Sequence, residues 1–543
     1  MAATFAAAAA LIASGLLRRW RAAGIGLASL LAAGCVWVSR TTLANEYEKL
    51  HVFLAVWSLV FSALFGLLLC RRGHSPAPRV FWPALLLLPL SVLGAALIAG
   101  RAPAVAWVLW SRTGASRYVT KRIRLFEPQL ASDGSNAEML LKPRLETEQT
   151  RAARQARAAQ PAPNIVLFSV DGLRPDHVGA YGYKRHPTSP NIDRFAERGV
   201  RFLNAFSSYP QTARFNTALL LGRYIAVMGR KHNVPASFQQ KAITRLLHER
   251  GYHMLVKAWF EHSSQSSFDP RVYAIDTMIK KSRRKNDLEE PLEERLPIME
   301  KHVKEARAAD KPIFMWMHLL GTHPVKRKFV PDPAFDFGSS RSDQYDSAIA
   351  GSDRWLEHVE KLMLAHADPA RPTIWIILSD HGVRVDEEGR DLYASIVRVP
   401  LIIVAPGLER SVRKQPVDTS LDLAATVLDF AGISPPETYD GISLLPLLEA
   451  GDPAGQMGRR LIPLKRGRWK GAVFGAYKLL EFDDALSLVN TEEDPEEQRN
   501  IVDQYQGLAR LMRQRADVEL GRRADSVAQG MQQGAAEPED DEE

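Results

Sequence analysis

Four apolar stretches fill most of the first hundred residues, at 2–17, 22–38, 51–70 and 81–100, and the charged positions fall in the gaps between them. A helix needs about 20 apolar residues to cross a bilayer, so the last three stretches predict membrane spans. The alanine-rich first stretch is either a fourth span or a signal-like or interfacial segment. Arg18, Arg19 and Arg21 form one basic cluster and Arg71, Arg72 and Arg79 another. Such clusters mark cytoplasmic loops, which puts the chain beyond residue 100 on the outer side. Residues 1–110 are therefore expected to form a transmembrane region of three or four helices. A basic juxtamembrane linker follows at 111–163, with KRIR at 121–124 and an arginine- and alanine-rich helix at 150–160. The arginines of that helix either lie on anionic headgroups or face solvent.

From Asn164 the pattern changes. Short apolar, β-branched runs alternate with segments of helical period: NIVLFSV as a strand, a helix at 192–198 followed by ERGVRFLNAFSS, TARFNTALLLGRY as a helix, a helix at 238–250, and a strand at 252–260. PIFMWMHL, TIWIILSD and VPLIIVAPG read as further strands, with a long helix at 345–365 between the first two. This alternation predicts an α/β domain with a central, largely parallel sheet flanked by helices, over residues 164–522. The closing stretch at 523–543, ending in EPEDDEE, is expected to be an acidic disordered tail.

Composition narrows the chemistry. The formal net charge of +8 is spread along the chain, and no nucleic-acid motif is present, so nucleic acid is not an expected partner. Cys35 and Cys70 are the two cysteines, and both lie in apolar stretches of the first hundred residues. The α/β domain thus contains no thiol, which excludes a disulfide, a zinc–thiolate site and a cysteine nucleophile there.

Two of the buried strands stop on metal-type ligands. The first runs into Asp171, and a later one into Asp380 and His381. Carboxylates and an imidazole at the exits of central strands suit a divalent cation.

The order of motifs resembles the sulfatase branch of the alkaline phosphatase superfamily. NIVLFSVDGLRPDHVGAYGY resembles the opening strand and metal loop, and SPNIDRFAERGVRFLNAFSS the segment leading to the nucleophile. SDHG, RVPLIIVAPG, DTSLDLAATVLDFAGISPPETYDGISLLPLL and LSLVNTEEDPEEQRNI follow in the same order. Family sulfatases carry a cysteine or serine that becomes formylglycine, within C-x-P-S-R and before T-G-R. Counting back from Leu221, Gly222 and Arg223 puts Thr212 at that position, without the proline or the arginine. A threonine nucleophile is similar to the phosphoethanolamine transferases, lipoteichoic acid synthases and nucleotide pyrophosphatase/phosphodiesterases of the same superfamily. Asp171 followed by Gly172, where many sulfatases have two acids, points the same way.

The resemblance implies a metal site of Asp171, Thr212, Asp380 and His381, holding one zinc ion first, with manganese or calcium as alternatives. HLLGTHP at 318–324 is similar to the H-x-x-G-x-H element of the transferases and implies a catalytic role for His323 near the substrate, with His318 as a second contact. Lys257 and His262 fall near the K-W-H substrate element of sulfatases, and Asn216 stands where their arginine would, as a contact to an ester oxygen. The stretch VRVDEEGRDLYAS after SDHG lacks the histidine or lysine of a second metal site. The expected activity is a metal-dependent phosphotransferase or phosphodiesterase at the inner (cell) membrane, multi-pass, with its catalytic domain periplasmic or extracellular. It would act on a lipid or cell-envelope phosphodiester donor and a hydroxyl acceptor beside the lipid bilayer. The alternatives are a sulfuric ester hydrolase working without formylglycine and a non-catalytic envelope binding protein on the same fold.

Overall fold

The computed structural model describes residues 143–534 except 144, 225–233, 235, 259–268, 279–291, 325–327, 330–331, 333, 386–391 and 453–454. The four apolar stretches, Cys35, Cys70, most of the expected linker and His262 lie outside the described residues. Among the described residues no helix is long and apolar enough to cross a membrane.

The large sheet is built from β1 (Asn164–Val170), β2 (Val200–Phe206), β3 (His253–Lys257), β4 (Thr277–Met278), β5 (Ile313–Leu319), β6 (Thr373–Leu378), β7 (Arg398–Val404), β8 (Ser411–Arg413) and β9 (Val417–Asp418). Its order is β4-β3-β5-β1-β6-β7-β2-β8, with β9 also paired to β2. β1 lies between β5 and β6 and runs parallel to both. β3 and β4 continue the parallel arrangement on one side, and β7 is the antiparallel strand on the other. Two successive antiparallel pairings, β6 to β7 and β7 to β2, return β2 to the direction of β1. The carboxyl ends of β1, β2, β5 and β6 therefore share one edge, where ligands bind in open parallel sheets.

β1 shows why these residues form that sheet. All seven of its side chains are buried, the mark of a strand covered on both faces. Ile165 and Leu167 join one apolar cluster, and Val166, Phe168 and Val170 join another. The first cluster is closed by α3 (Thr212–Leu221), α4 (Ile243–Glu249) and α7 (Leu421–Phe430), the second by α2 (Pro190–Ala196), α5 (Leu292–Ala308) and α6 (Arg341–Ala365).

Three expectations change. The arginine-rich segment forms α1 (Glu148–Ala158), but Arg154 and Arg157 bond the carboxylate of Asp429 on α7, at 2.7 and 2.9 Å, and Arg151 pairs with Glu146. A buried carboxylate attracts these guanidinium groups, so they are engaged by protein instead of lying on headgroups. The helix expected at 238–250 is broken into a single turn at Ala236–Gln239 and α4, because Ala242 is extended (φ −61°, ψ 143°). The strand expected through residue 260 ends at Lys257.

At the C-terminal end, β10 (Leu461–Arg466), β11 (Trp469–Phe474), β12 (Tyr477–Phe482) and β13 (Ala485–Asn490) form an antiparallel meander. It packs on the last helix, α9 (Gln506–Gly534), which follows α8 (Leu445–Ala450), and α9 carries on through Asp525, where a disordered tail was expected. Ile462, Leu464, Val473 and Leu480 of the meander meet Phe206, Leu392, Ile396 and Val397 of the main domain. Lys478 is fully buried at this seam, paired with Glu497 and donating to the carbonyl of Leu392 at 2.9 Å.

Candidate active site

The register of the three central strands levels their exits. Ser169 of β1 lies opposite His318 of β5 and Leu378 of β6, so Asp171, His318 and Asp380 converge without any long side chain. Asp171 and Asp380 are almost wholly buried, at 1% and 0% exposure. Backbone donors take one oxygen of Asp380: Gly172 N–H at 3.2 Å and His381 N–H at 2.9 Å both donate to Oδ1. Oδ2 is left with no partner.

Thr212 is the first residue of α3, after Gln211 at the cap position, whose side chain makes no capping bond. The Thr212 hydroxyl donates to Asp171 Oδ2 at 2.8 Å and lies 3.2 Å from His381 Nε2. His381 Nδ1 donates to the carbonyl of Gly382 at 2.8 Å, which makes Nε2 the lone-pair nitrogen. That nitrogen faces Asp380 Oδ2 at 3.3 Å.

Two acceptors turned toward each other in a buried site, with ligand atoms of Asp171, Asp380 and His381 all within 4.8 Å of one another, call for a cation between them. The residues present thus fit the divalent ion that the motif order implies. Burial pushes the Asp171 carboxyl up, but its interactions with His318, His381 and His323 outweigh it and hold the group well below the usual carboxylate range. The side chain of His323 is exposed, and its electrostatic pull reaches Asp171.

The other expected residues are distributed as follows. His318 is buried in β5, with Nε2 3.6 Å from Asp171 Oδ2 and 3.9 Å from Asp380 Oδ2. It sits against the metal ligands rather than at the mouth. Lys257, at the end of β3, donates to the carbonyl of His318 at 3.1 Å and so fastens the wall of the site. Asn216 lies one turn after Thr212 on α3, fully buried, and both polar atoms of its amide lack a partner. Positions i and i+4 share a helix face, so Asn216 follows Thr212 along one side of α3.

Sequence reasoning passed over the residues that hold the ligands. Ser379 Oγ lies 2.7 Å from the carbonyl of Val170 and 2.6 Å from that of His381, and accepts from Leu173 N–H at 2.9 Å. It ties the two ligand loops together. Tyr345 reaches over from α6, donating to the carbonyl of Gly172 at 2.7 Å and accepting from Arg174 N–H at 2.9 Å. Gly172 has φ +68°, a left-handed conformation that favours glycine directly after the first ligand. Ser379 was open to view as the first letter of SDHG; no local signal marked Tyr345.

Residues 163–433 match the family model described as Sulfatase. The arylsulfatase of Clostridium perfringens is 24% identical over 379 residues, 53% of this chain and 78% of that protein. The N-acetylgalactosamine-6-sulfatase of Canis lupus familiaris is 25% identical over 390 residues, 60% of this chain and 72% of that protein. Among solved structures, the PsFucS1 sulfatase from Pseudoalteromonas sp. superposes with a TM-score of 0.57 at 17% identity, over 71% of this chain and 95% of that one. That likeness is one of fold.

Proposed function

Taking residues 163–433 as a sulfatase-family domain of the alkaline phosphatase-like superfamily, we propose that the protein is a divalent-metal-dependent hydrolase of a singly charged sulfuric ester, with Thr212 as its nucleophile. The observation that carries this reading is the Thr212 hydroxyl, hydrogen-bonded to Asp171 at 2.8 Å beside the lone-pair nitrogen of His381. The names of the similar proteins, an arylsulfatase and an N-acetylgalactosamine-6-sulfatase, favour sulfate esters over the phosphoryl transfer expected from the threonine.

Asp171, Asp380 and His381 would hold the cation, with Thr212 beside them. A divalent ion there lowers the pKa of a hydroxyl and neutralises charge on the ester oxygens. The hydrogen bond to Asp171 fixes the orientation of Thr212 and leaves the lone pairs of Oγ1 available for attack. As the bond from Oγ1 to the central sulfur forms, the hydroxyl proton passes along its hydrogen bond to Asp171 Oδ2 and the ester bond breaks, and the departing alkoxide takes a proton from His323. Water then releases the group from Thr212. The start of α3 contributes peptide dipoles that favour an anionic group at Thr212. Asn216, neutral where the resemblance implies an arginine, adds hydrogen-bond donors without adding charge.

One observation favours a second reading. Threonine is not a formylglycine precursor, and a bare threonine hydroxyl suits the phosphoryl chemistry of the transferases as well. A phosphodiester carries the same single charge as a sulfate monoester, so the same site accommodates it. The apolar stretches before the domain support membrane attachment with the site outside the cytoplasm, beside a lipid- or envelope-linked ester.

Assay of the zinc-reconstituted full-length protein with para-nitrophenyl sulfate and with bis-para-nitrophenyl phosphate tests both readings. Turnover of the sulfate ester, reduced about a thousandfold or more in Thr212→Ala, is the expected result. Turnover of the phosphodiester alone, equally dependent on Thr212, would establish the second reading. Undiminished turnover in Thr212→Ala would refute both.

A further inference from the structure

We infer that His318 is an inner ligand of the cation, so that the site presents two imidazole nitrogens as well as two carboxylates. This rests on the metal-site reading given above and goes beyond it by changing the ligand set and the metals the site can select.

The inference starts from a side chain that is buried to 1% exposure and whose Nε2 has no hydrogen-bond partner. Its other nitrogen is occupied: Nδ1 lies 2.8 Å from Ser169 Oγ, and that hydroxyl in turn is placed to donate to the carbonyl of Met317 at 3.4 Å. With the serine proton directed at the carbonyl, Nδ1 carries the imidazole proton and Nε2 carries the lone pair. A hydrogen bond that fixes the far nitrogen of a histidine is the usual support for a metal-binding imidazole. Lys257 holds the same residue by its backbone, donating to the carbonyl of His318.

The distances agree. Zinc binds nitrogen and oxygen at about 2.0–2.2 Å, so ligand atoms sharing a tetrahedral ion stand about 3.4 Å apart. The separations here are 2.8 Å from Thr212 to Asp171, 3.2 Å from Thr212 to His381, 3.3 Å from His381 to Asp380, 3.6 Å from His318 to Asp171 and 3.9 Å from His318 to Asp380. They cluster around that edge length, and the His318 pairs are too long for direct hydrogen bonds. Asp380 Oδ2, which has no hydrogen-bond partner, faces both imidazoles, at 3.3 Å from His381 and 3.9 Å from His318. The ligand atoms of Asp171, Asp380 and His381 lie within 4.8 Å of one another, and His318 Nε2 faces both carboxylates from the side of β5.

Two neutral nitrogens in place of oxygens shift the preference of the site. Calcium takes six to eight oxygen ligands, whereas imidazole suits zinc and neighbouring transition metals. The site should therefore hold zinc in preference to calcium.

X-ray absorption at the zinc edge of the full-length, zinc-loaded protein counts imidazoles without any substitution. Two imidazoles are expected, and competition with a chromophoric chelator should show the zinc affinity of His318→Gln reduced by about tenfold or more. One imidazole, or a His318→Gln affinity within about twofold of the native protein, would overturn the inference while leaving the rest of the site intact. A protein that takes up no zinc at all would overturn this inference together with the metal-site reading beneath it.

Discussion

At the scale of single residues, the site is held by close approaches that leave little room. Gly382 follows the ligand pair directly; its N–H donates to the carbonyl of Ile396 at 2.7 Å, and a Cβ built there would collide with the carbonyl oxygen of Ser395. Alanine at this position must push the segment at 394–397 or the peptide after His381 out of place. Gly382→Ala should cost on the order of 1–3 kcal/mol of stability and weaken zinc binding by displacing His381. Calorimetric melting and chelator competition on the same sample would check it, and an alanine variant with native zinc affinity would show that His381 is fixed by other contacts. Asp171, Thr212, Asp380 and His381 were all legible in the sequence, for one reason: each stands immediately after an apolar run or a fixed count from a recognisable motif. His318 was harder to place. It lies inside β5, and only the register that brings Ser169 opposite it shows that its ring points along the sheet edge to the two carboxylates.

At the scale of elements, the parallel strands were legible because burial on both faces writes itself as a continuous β-branched run. The meander β10–β13 was not, although its turns carry a signal: Gly467 and Gly475 have positive φ, and Asp483 and Asp484 both do, at 47° and 67°. Two consecutive left-handed residues make the tight turn that suits a hairpin. The strands between them bury one face on α9 and the other on the main domain, but their apolar residues are diluted by lysine, glutamate and arginine. One of these, Lys478, is buried against Glu497 and lost its usual meaning as a surface residue.

Helix α5 carries a pH-sensitive contact of its own. His302 stacks on His253 of β3 with ring centroids 4.1 Å apart and lies 3.3 Å from Thr277 Oγ1 of β4. Burial, reinforced by the neighbouring His253, lowers its pKa to about 3 against the opposing pull of Asp276. The unfolded chain takes up this proton near pH 6.5, whereas the folded protein does so only near pH 3. Between those values the unfolded state binds the extra proton, so stability falls as pH falls through that window. From pH 7 to pH 4 the loss from this group should be on the order of 3 kcal/mol. Urea unfolding of the native protein and of His302→Leu at both pH values measures it: the variant should lose less stability on acidification, and equal losses would show that His302 does not stay neutral.

At the scale of the whole molecule, the sheet order explains why residues from four separate segments can act together. Two antiparallel steps return β2 to the direction of β1, which brings the start of α3 and Thr212 to the same edge as Asp171, His318 and Asp380. The alternation of runs foretold the α/β class and the parallel centre, but not the path β6-β7-β2, since a single antiparallel strand leaves no mark on hydrophobic pattern. The family model matches residues 163–433, and the similar proteins are named as sulfatases. What the threonine does at this edge then becomes the central question for the molecule.

Mass spectrometry of the peptide containing Thr212, after rapid acid quench of the zinc-loaded full-length protein during turnover, answers it most directly. A sulfuryl group on Thr212, absent from the Asp380→Ala protein, is the expected result, and a phosphoryl group would keep the nucleophile while changing the substrate. Steady turnover with Thr212 unmodified at every quench time, and with the same rate in Thr212→Ala, would contradict a threonine nucleophile.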